Sequence, residues 1–442
     1  MMNTTDLLFT NGIVMTMDSQ NAIIENGAVA VTGDTIAAVG EAKELASLSA
    51  METIDAKGGI IMPGLVNTHT HAAMTLFRGL ADDLPLMTWL NDHIFPAESQ
   101  LNDNKVFAGS LLGCAEMILS GTTCFCDRYL FEDAVARAAK SAGIRAVVGE
   151  VLYDFPSPNY GTIDRGFDYT RQLITTWKDD PLVTIAVEPH SPYLCAPDLL
   201  SRASEIAAEN ELPLVIHLSE TQSEVEAIRK KYGATPVAHL ADLRILAPNL
   251  LACHCVVLNQ TDMDLLQQHD VKVSHNPESN MKLAAGVSPV SELMERKVCT
   301  GLGTDGCSSN NDLDLFSEMD TAAKLHKASR LDPTVMDATT VLRMATIDGA
   351  RALGLDSITG SIETGKKADI IVIDINKPHL TPMYHPASHL VYAVNGGDVS
   401  TTVVNGKVLM KNRELLSMDV EKVLADACQI AETIRGSESR QK

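Results

Sequence analysis

Two patterns of apolar positions alternate along the chain. Near both ends, short apolar runs are punctuated by tight-turn pairs. At the start these are Leu7–Phe9, then Asn11-Gly12, then Ile13–Met17. At the end they are Thr402–Val404, then Asn405-Gly406, then Lys407–Met410. Asn-Gly between apolar runs predicts a hairpin, because both central residues of a type I′ turn need φ > 0. Ala28–Val31, the turn Gly33-Asp34, Ile36–Val39 and Asp369–Ile373 add strands of the same kind. The two ends are therefore expected to meet in one small β-sandwich, discontinuous in sequence and built from residues 1–58 and 365–442. It closes with an amphipathic helix after Asp419 and a frayed end from Gly436.

Residues 59–364 follow a different rhythm. Eight short apolar runs recur: Ile60–Asn67, Thr122–Cys126, Ala146–Leu152, Thr184–Glu188, Leu214–Leu218, Leu250–Val256, Val271–Ser274 and Val298–Gly303. Between them lie stretches with helical periodicity, such as Asp198–Asn210, Ser223–Lys231, Thr261–His269 and Pro289–Arg296. Eight strand–helix units predict an α/β fold, the (β/α)8 TIM barrel. A doubly wound open sheet would need a glycine-rich phosphate fingerprint after its first strand, and the sequence has none there.

A barrel carries its chemistry at the C-terminal ends of its strands. The first run ends in Thr68-His69-Thr70-His71 and the fourth in Glu188-Pro189-His190. The fifth ends in His217-Leu218-Ser219-Glu220, and the sixth carries His254. The seventh ends in Ser274-His275-Asn276, and the eighth in Gly303-Thr304-Asp305. His69 and His71 are two apart on a strand, so they share a face and suit one divalent metal ion. His217 and Asp305 can complete the ligand set from across the mouth. Three imidazoles and a carboxylate suit Zn²⁺, with Fe²⁺ or Mn²⁺ as alternatives. A lone H-x-H is a weak signal, but H-x-H together with His217, His254 and Asp305, each at the end of a different run, is hard to place by chance.

Composition removes several classes of function. The chain has 442 residues and a formal charge of −22, so a nucleic-acid partner is not expected. No segment is apolar over the ~20 residues that a membrane helix needs, so no membrane partner is expected either. Met1–Thr10 lacks a basic leader, and the C-x-C pairs Cys124/Cys126 and Cys253/Cys255 have no second pair at zinc-ribbon spacing, so the nine Cys read as buried reduced thiols. A cytoplasmic location follows as the expectation. Self-association into a homo-oligomer is left open.

The stretch Met62-Pro63-Gly64-Leu65-Val66-Asn67-Thr68-His69-Thr70-His71 resembles the first-strand signature of the amidohydrolase superfamily. The order His217-x-x-Glu220, His254, Asp305 is similar to its mononuclear deaminase branch. Thr88-Trp89-Leu90, Phe95-Pro96-Ala97-Glu98, His254-Cys255-Val256 and Ser274-His275-Asn276-Pro277 with Ser279-Asn280 resemble the 5-methylthioadenosine/S-adenosylhomocysteine deaminases. Two-metal relatives usually carry a bridging Lys where this chain has His190, so the resemblance implies a single metal.

It also implies hydrolytic deamination of an adenine nucleoside, with Glu220, His254 and Asp305 as the proton-handling residues. Glu98 becomes the acceptor for ribose hydroxyls and His190 a second nucleoside contact. Trp89 either covers the substrate or simply packs. Arg128 and Arg165, in loops after the second and third strands, are candidates for a carboxylate tail. Glu150, where some relatives have Arg, is expected to repel that tail and to favour methylthioadenosine over S-adenosylhomocysteine. Met74, Phe77 and Met87 read as lid packing. The alternatives are another aminohydrolase or chlorohydrolase of the same scaffold, acting on guanine, a pyrimidine or a triazine, and a barrel without catalysis.

Overall fold

The computed structural model describes residues 4–84 and 88–438, so Met87 lies outside the described residues. The first five strands are β1 (Thr4–Met15), β2 (Ile23–Thr32), β3 (Thr35–Glu41), β4 (Ser49–Asp55) and β5 (Ile60–Pro63). Next come β6 (Leu65–Thr70), β7 (Thr122–Tyr129), β8 (Arg145–Leu152), β9 (Val183–Ile185) and β10 (Glu188–Pro189). They are followed by β11 (Leu214–Leu218), β12 (Leu250–His254), β13 (Lys272–His275) and β14 (Thr300–Leu302). The last four are β15 (Ile370–Ile373), β16 (Val399–Val404), β17 (Lys407–Lys411) and β18 (Glu414–Leu415).

Strands from the two chain ends share one nine-stranded sheet, in the order β18-β17-β16-β15-β5-β1-β2-β3, with β4 parallel to β1. β15 lies antiparallel between β5 and β16, which joins the C-terminal strands directly to the N-terminal ones. Inward positions such as Phe9, Val29, Ile61, Ile370 and Val403 form one buried cluster. Asn405 and Gly406, at φ 49° and 74°, make the expected turn between β16 and β17.

Asn11-Gly12 does not make a turn. It is a bulge inside the continuous β1, with the register against β2 slipping on both sides of Gly12. β4 pairs with the first half of β1 and β5 with the second, so neighbours on that edge hold the chain straight through its best local turn signal. The run Ile60–Asn67 also divides. A Cβ on Gly64 would lie 2.1 Å from the Thr123 hydroxyl, and the chain passes there from the terminal sheet (β5) into the barrel (β6). The C-terminal helix runs from Val420 to Glu438, through part of the end expected to fray, and 439–442 lie outside the described residues.

All eight expected runs supply barrel strands, the fourth as the pair β9 and β10. They form two parallel sheets, β6 to β10 and β11 to β14. One seam between the sheets is bridged by Val187 N donating to Pro213 O at 2.9 Å and His217 N to His190 O at 3.1 Å. At the other, Asp305 N donates to His69 O at 2.9 Å. Cys126, Val147, Ala186, Val215, Leu251 and Cys253 come from five strands or strand links and form one buried cluster, which places them in the barrel interior. Helices Pro197–Glu209, Gln222–Tyr232, Gln260–Gln268 and Val290–Glu295 lie where helical periodicity placed them. Among the described residues no helix is long and apolar enough to cross a membrane.

Candidate active site

The first strand is aimed into the mouth by an irregularity. Between Asn67 and Thr70 the register against β7 gains a residue, since the paired positions there are Phe125 and Asp127. Thr68 points into the barrel, with its hydroxyl 2.6 Å from Ser274 Oγ and 2.9 Å from Leu302 O. His69, the next residue, also faces inward, with its ring centroid 5.1 Å from His217 and 5.3 Å from His254. A regular strand would send these two side chains to opposite faces, and a bulge is the usual way to re-aim one.

Ligand atoms of His69, His71 and His217 lie within 4.8 Å of one another, as do those of His69, His254 and Asp305. Asp305 Oδ1 is 3.4 Å from His69 Nε2 and 3.2 Å from His71 Nε2. His71 turns its Nδ1 to the Arg128 carbonyl at 2.5 Å, so that nitrogen carries the proton and Nε2 is free for the centre. Burial pushes His69 down to about 3 and His217 well below the ordinary imidazole range, which keeps both neutral as a ligand must be. Burial also penalises the Asp305 carboxylate, but contact with His69 and His71 outweighs it and holds Asp305 well below the usual range. Both ring nitrogens of His69 and Nδ1 of His217 are buried without a hydrogen-bond partner. Orphaned polar atoms of this kind cost about 1–3 kcal/mol each, and a divalent cation bound among these nitrogens would satisfy some of them. The donor set therefore fits such an ion.

Three residues at the mouth have left-handed backbones: Ser219 at φ 53°, His254 at 72° and Asp305 at 61°. Strain of this order, about 1–3 kcal/mol per residue, persists only where surroundings enforce it. At Ser219 the enforcing group is Glu224. Its carboxylate accepts from Ser219 N at 3.0 Å and Glu220 N at 2.8 Å, and so fixes the turn from which Glu220 projects.

Above this cluster opens a cavity of about 490 Å³ lined by Glu220, His254, Asp305, His190, Glu98 and Trp89, with apolar and aromatic residues toward its rim. His71 and His217 line it too, and His69 is buried beside them. Glu98 Oε1 accepts from the Tyr129 hydroxyl at 2.7 Å, and burial pushes its carboxyl up to about 7. The His190 ring centroid is 4.8 Å from that of His217, and its Nδ1 is 2.9 Å from Ser191 Oγ. Trp89 opens a π-helical turn (Trp89–Ile94) and is buried, both lining the cavity and packing in the core. From His190 a chain of rings leads outward to Tyr153 at 6.5 Å and on to Phe155, stacked on Tyr153 at 3.9 Å.

Three expectations about the tail end are overturned. Glu150 does not reach the cavity. On β8, Val147 faces the barrel interior, while Ala146 and Val148 pack with the surrounding helices, and Glu150 continues that outer series. Its carboxylate accepts from Glu132 N at 3.0 Å, at the start of helix Glu132–Ala142, and from Asn159 Nδ2 at 2.9 Å. Arg165 belongs to helix Ile163–Trp177 and does not line the cavity. Arg128 lies on β7, not in a loop, and does line it, but its guanidinium donates to Pro189 O and His190 O and stands 3.6 Å from Glu188. The sequence reading missed Tyr129 and the rim aromatics Tyr153, Phe155 and Tyr193. Asp127-Arg128-Tyr129 closes the second strand, and reading that strand end like the others would have found Tyr129.

This architecture is that of a metal-dependent hydrolase barrel, and residues 60–409 match the amidohydrolase family. The chain belongs to that family. It is 57% identical over 431 residues to the 5-methylthioadenosine/S-adenosylhomocysteine deaminase of Syntrophobacter fumaroxidans, covering 97% of this chain and 98% of that one. It is 46% identical to the 5'-deoxyadenosine deaminase of Methanosarcina acetivorans, covering 97% and 98%. Among solved structures it superposes with TM-score 0.96 and 40% identity on an adenosine deaminase from Xanthomonas campestris with bound zinc, covering 98% and 99%.

Proposed function

We propose that this chain hydrolytically deaminates adenine nucleosides with a small apolar 5′ substituent, such as 5′-methylthioadenosine, giving the inosine analogue and ammonia. The observation that carries the reading is one cavity. It holds a nitrogen-rich cation site beside a free acid at its floor, a diol acceptor on its wall and apolar rings at its rim. His69, His71, His217 and Asp305 would hold one divalent ion, with Zn²⁺ suited to this ligand set. Such an ion supplies an acidified water as nucleophile.

Glu220 takes a proton from the attacking water and delivers it to the ring nitrogen next to the attacked carbon, which makes the ring electrophilic. His254, facing the same point, orients the water as a hydrogen-bond acceptor. Asp305 passes the last proton to the departing amine. Glu98 accepts the ribose hydroxyls and His190 contacts the nucleoside. Among the described residues Arg128 is the only Lys or Arg lining the cavity; its Nη2 donates to two carbonyls and its Nε stands 3.6 Å from Glu188, which leaves Nη1 without a partner but the charge facing a buried carboxylate. Arg128 is 1% exposed, so a zwitterionic amino-acid tail would meet apolar and aromatic residues at the rim and not an exposed cation, which favours methylthioadenosine over S-adenosylhomocysteine.

The test is metal content together with ammonia release across a substrate panel. About one divalent ion per chain is expected, lost with turnover in His69→Ala and His217→Ala. The expected kcat/KM is higher for 5′-methylthioadenosine than for S-adenosylhomocysteine. Two ions per chain overturns the single-ion reading, a preference for S-adenosylhomocysteine overturns the tail argument, and action on guanine or a triazine alone overturns the substrate class.

A further inference from the structure

Asn280 has no part in the chemistry above, yet it touches one of the proton-handling residues. It sits on the short helix Pro277–Lys282 that follows β13, and it is 2% exposed. Its Oδ1 lies 3.0 Å from Nδ1 of His254. The helix is well anchored for this purpose: Asn280 N donates to Asn276 O at 3.0 Å, and Asn280 O accepts from Ala285 N at 2.9 Å. The preceding residue, Ser279, donates its hydroxyl to Asp305 Oδ2 at 2.6 Å, so the same turn is also tied to the strand end on its other flank, after β14. His254 is the last residue of β12, paired with Leu218 of β11 but beyond the pairing with β13, and its left-handed backbone takes its ring out of regular strand alternation.

An amide oxygen only accepts hydrogen bonds. A neutral His254 facing it must carry its proton on Nδ1, which leaves a lone pair on Nε2. The ring centroid stands 5.3 Å from those of His69 and His217, and a ring nitrogen of His254 lies within 4.8 Å of ligand atoms of His69 and Asp305; with Nδ1 held by Asn280, Nε2 is the nitrogen left for the site. We propose that Asn280 is a positioning residue for the deamination reaction: its side-chain oxygen selects the Nδ1–H tautomer of His254 and so keeps Nε2 as an acceptor toward the attacking water. The opposite tautomer would aim an N–H into the site and remove that acceptor. The inference rests on the proposed reaction for its consequence, but the tautomer itself can be observed without any substrate.

The direct experiment is ring-¹⁵N NMR on the metal-loaded, histidine-labelled protein, with the His254 signals assigned by their loss in His254→Asn. The expected pattern is a protonated Nδ1 and an unprotonated Nε2. An Nε2–H or a doubly protonated ring overturns the proposal whatever the enzyme's substrate proves to be. The kinetic arm compares two near-isosteric variants. Asn280→Leu keeps the volume and loses the acceptor, so kcat is expected to fall about 10–100-fold, the usual effect of losing a partner behind a metal-site residue, with KM within about threefold. Asn280→Asp restores an acceptor that cannot donate, and should recover kcat to within about fivefold of wild type while both variants retain the metal. Equal impairment of the two variants, or wild-type kcat in Asn280→Leu, refutes the role. Failure of the wild type to deaminate any adenine nucleoside would remove the reaction and leave the NMR result standing on its own.

Discussion

Removing the Glu98 carboxylate tests the sugar end of the site most sharply. One of its oxygens already accepts from Tyr129 at 2.7 Å, and the side chain faces the cavity. Losing a hydrogen bond to a charged group costs about 1.5–3 kcal/mol. At about 1.4 kcal/mol per decade, Glu98→Ala should raise KM for a nucleoside by about 10–150-fold. The pH dependence has a definite sign. Burial lifts this carboxyl from 4.5 to about 7, against the opposing pull of Tyr129 and His71. Only the ionised form accepts both hydroxyls of the diol. Below pH 7 the free enzyme is mostly protonated here, so kcat/KM should rise about tenfold between pH 6 and pH 8. Stability runs the other way. The folded chain keeps a proton that the unfolded chain releases between 4.5 and about 7, so this group's contribution falls as pH rises through that window. Glu98→Gln keeps the shape and does not titrate. The assay follows conversion of adenine to hypoxanthine absorbance from pH 5.5 to 8.5 and takes the ratio of wild type to Glu98→Gln, which cancels limbs common to both. A ratio independent of pH, or a KM within twofold of wild type in Glu98→Ala, refutes the assignment.

Two further perturbations separate chemistry from architecture. Glu220→Gln should keep its metal, because the residue is not a ligand, and lose about 10²–10⁴ in kcat; near-normal kcat with full metal content would take Glu220 out of the mechanism. Glu150→Gln should leave the ratio of methylthioadenosine to S-adenosylhomocysteine turnover unchanged, because the side chain faces the helices. Burial holds that carboxyl at about 8, so wild-type stability declines as pH rises from 4.5 toward 8, and the Tm of Glu150→Gln relative to wild type should climb over that range. A pH-independent Tm difference, or a changed substrate ratio, argues against this placement.

Much of the site was legible in the chain because strand ends in a barrel converge whatever the loops do. Eight apolar runs set the fold class, and the polar residue closing each run named His69, His71, His217, Glu220, His254 and Asp305 without any distance. His190 also closes a run, but its role came through family resemblance, as did Glu98 altogether, since nothing in Phe95–Glu98 alone says that a surface-like acid turns into a cavity. The Glu150 expectation failed on a point that alternation could have settled, because Val147 and Glu150 are an odd number of residues apart on one strand and so face opposite sides.

Other features belonged to tertiary structure alone. Asn11-Gly12 has the local chemistry of a hairpin, but pairing with β4 and β5 keeps β1 extended and turns that signal into a bulge. The extra residue between Asn67 and Thr70 depends on register against β7, and it decides that Thr68 and His69 both point inward. The contact between Asn280 and His254 spans 26 residues and exists only because adjacent parallel strands bring their ends together. Periodicity and residue type are properties of one segment and can be read along it. Register, tautomer and which side of a wall a carboxylate faces depend on the distance to a second segment, and that distance exists only once the barrel has closed.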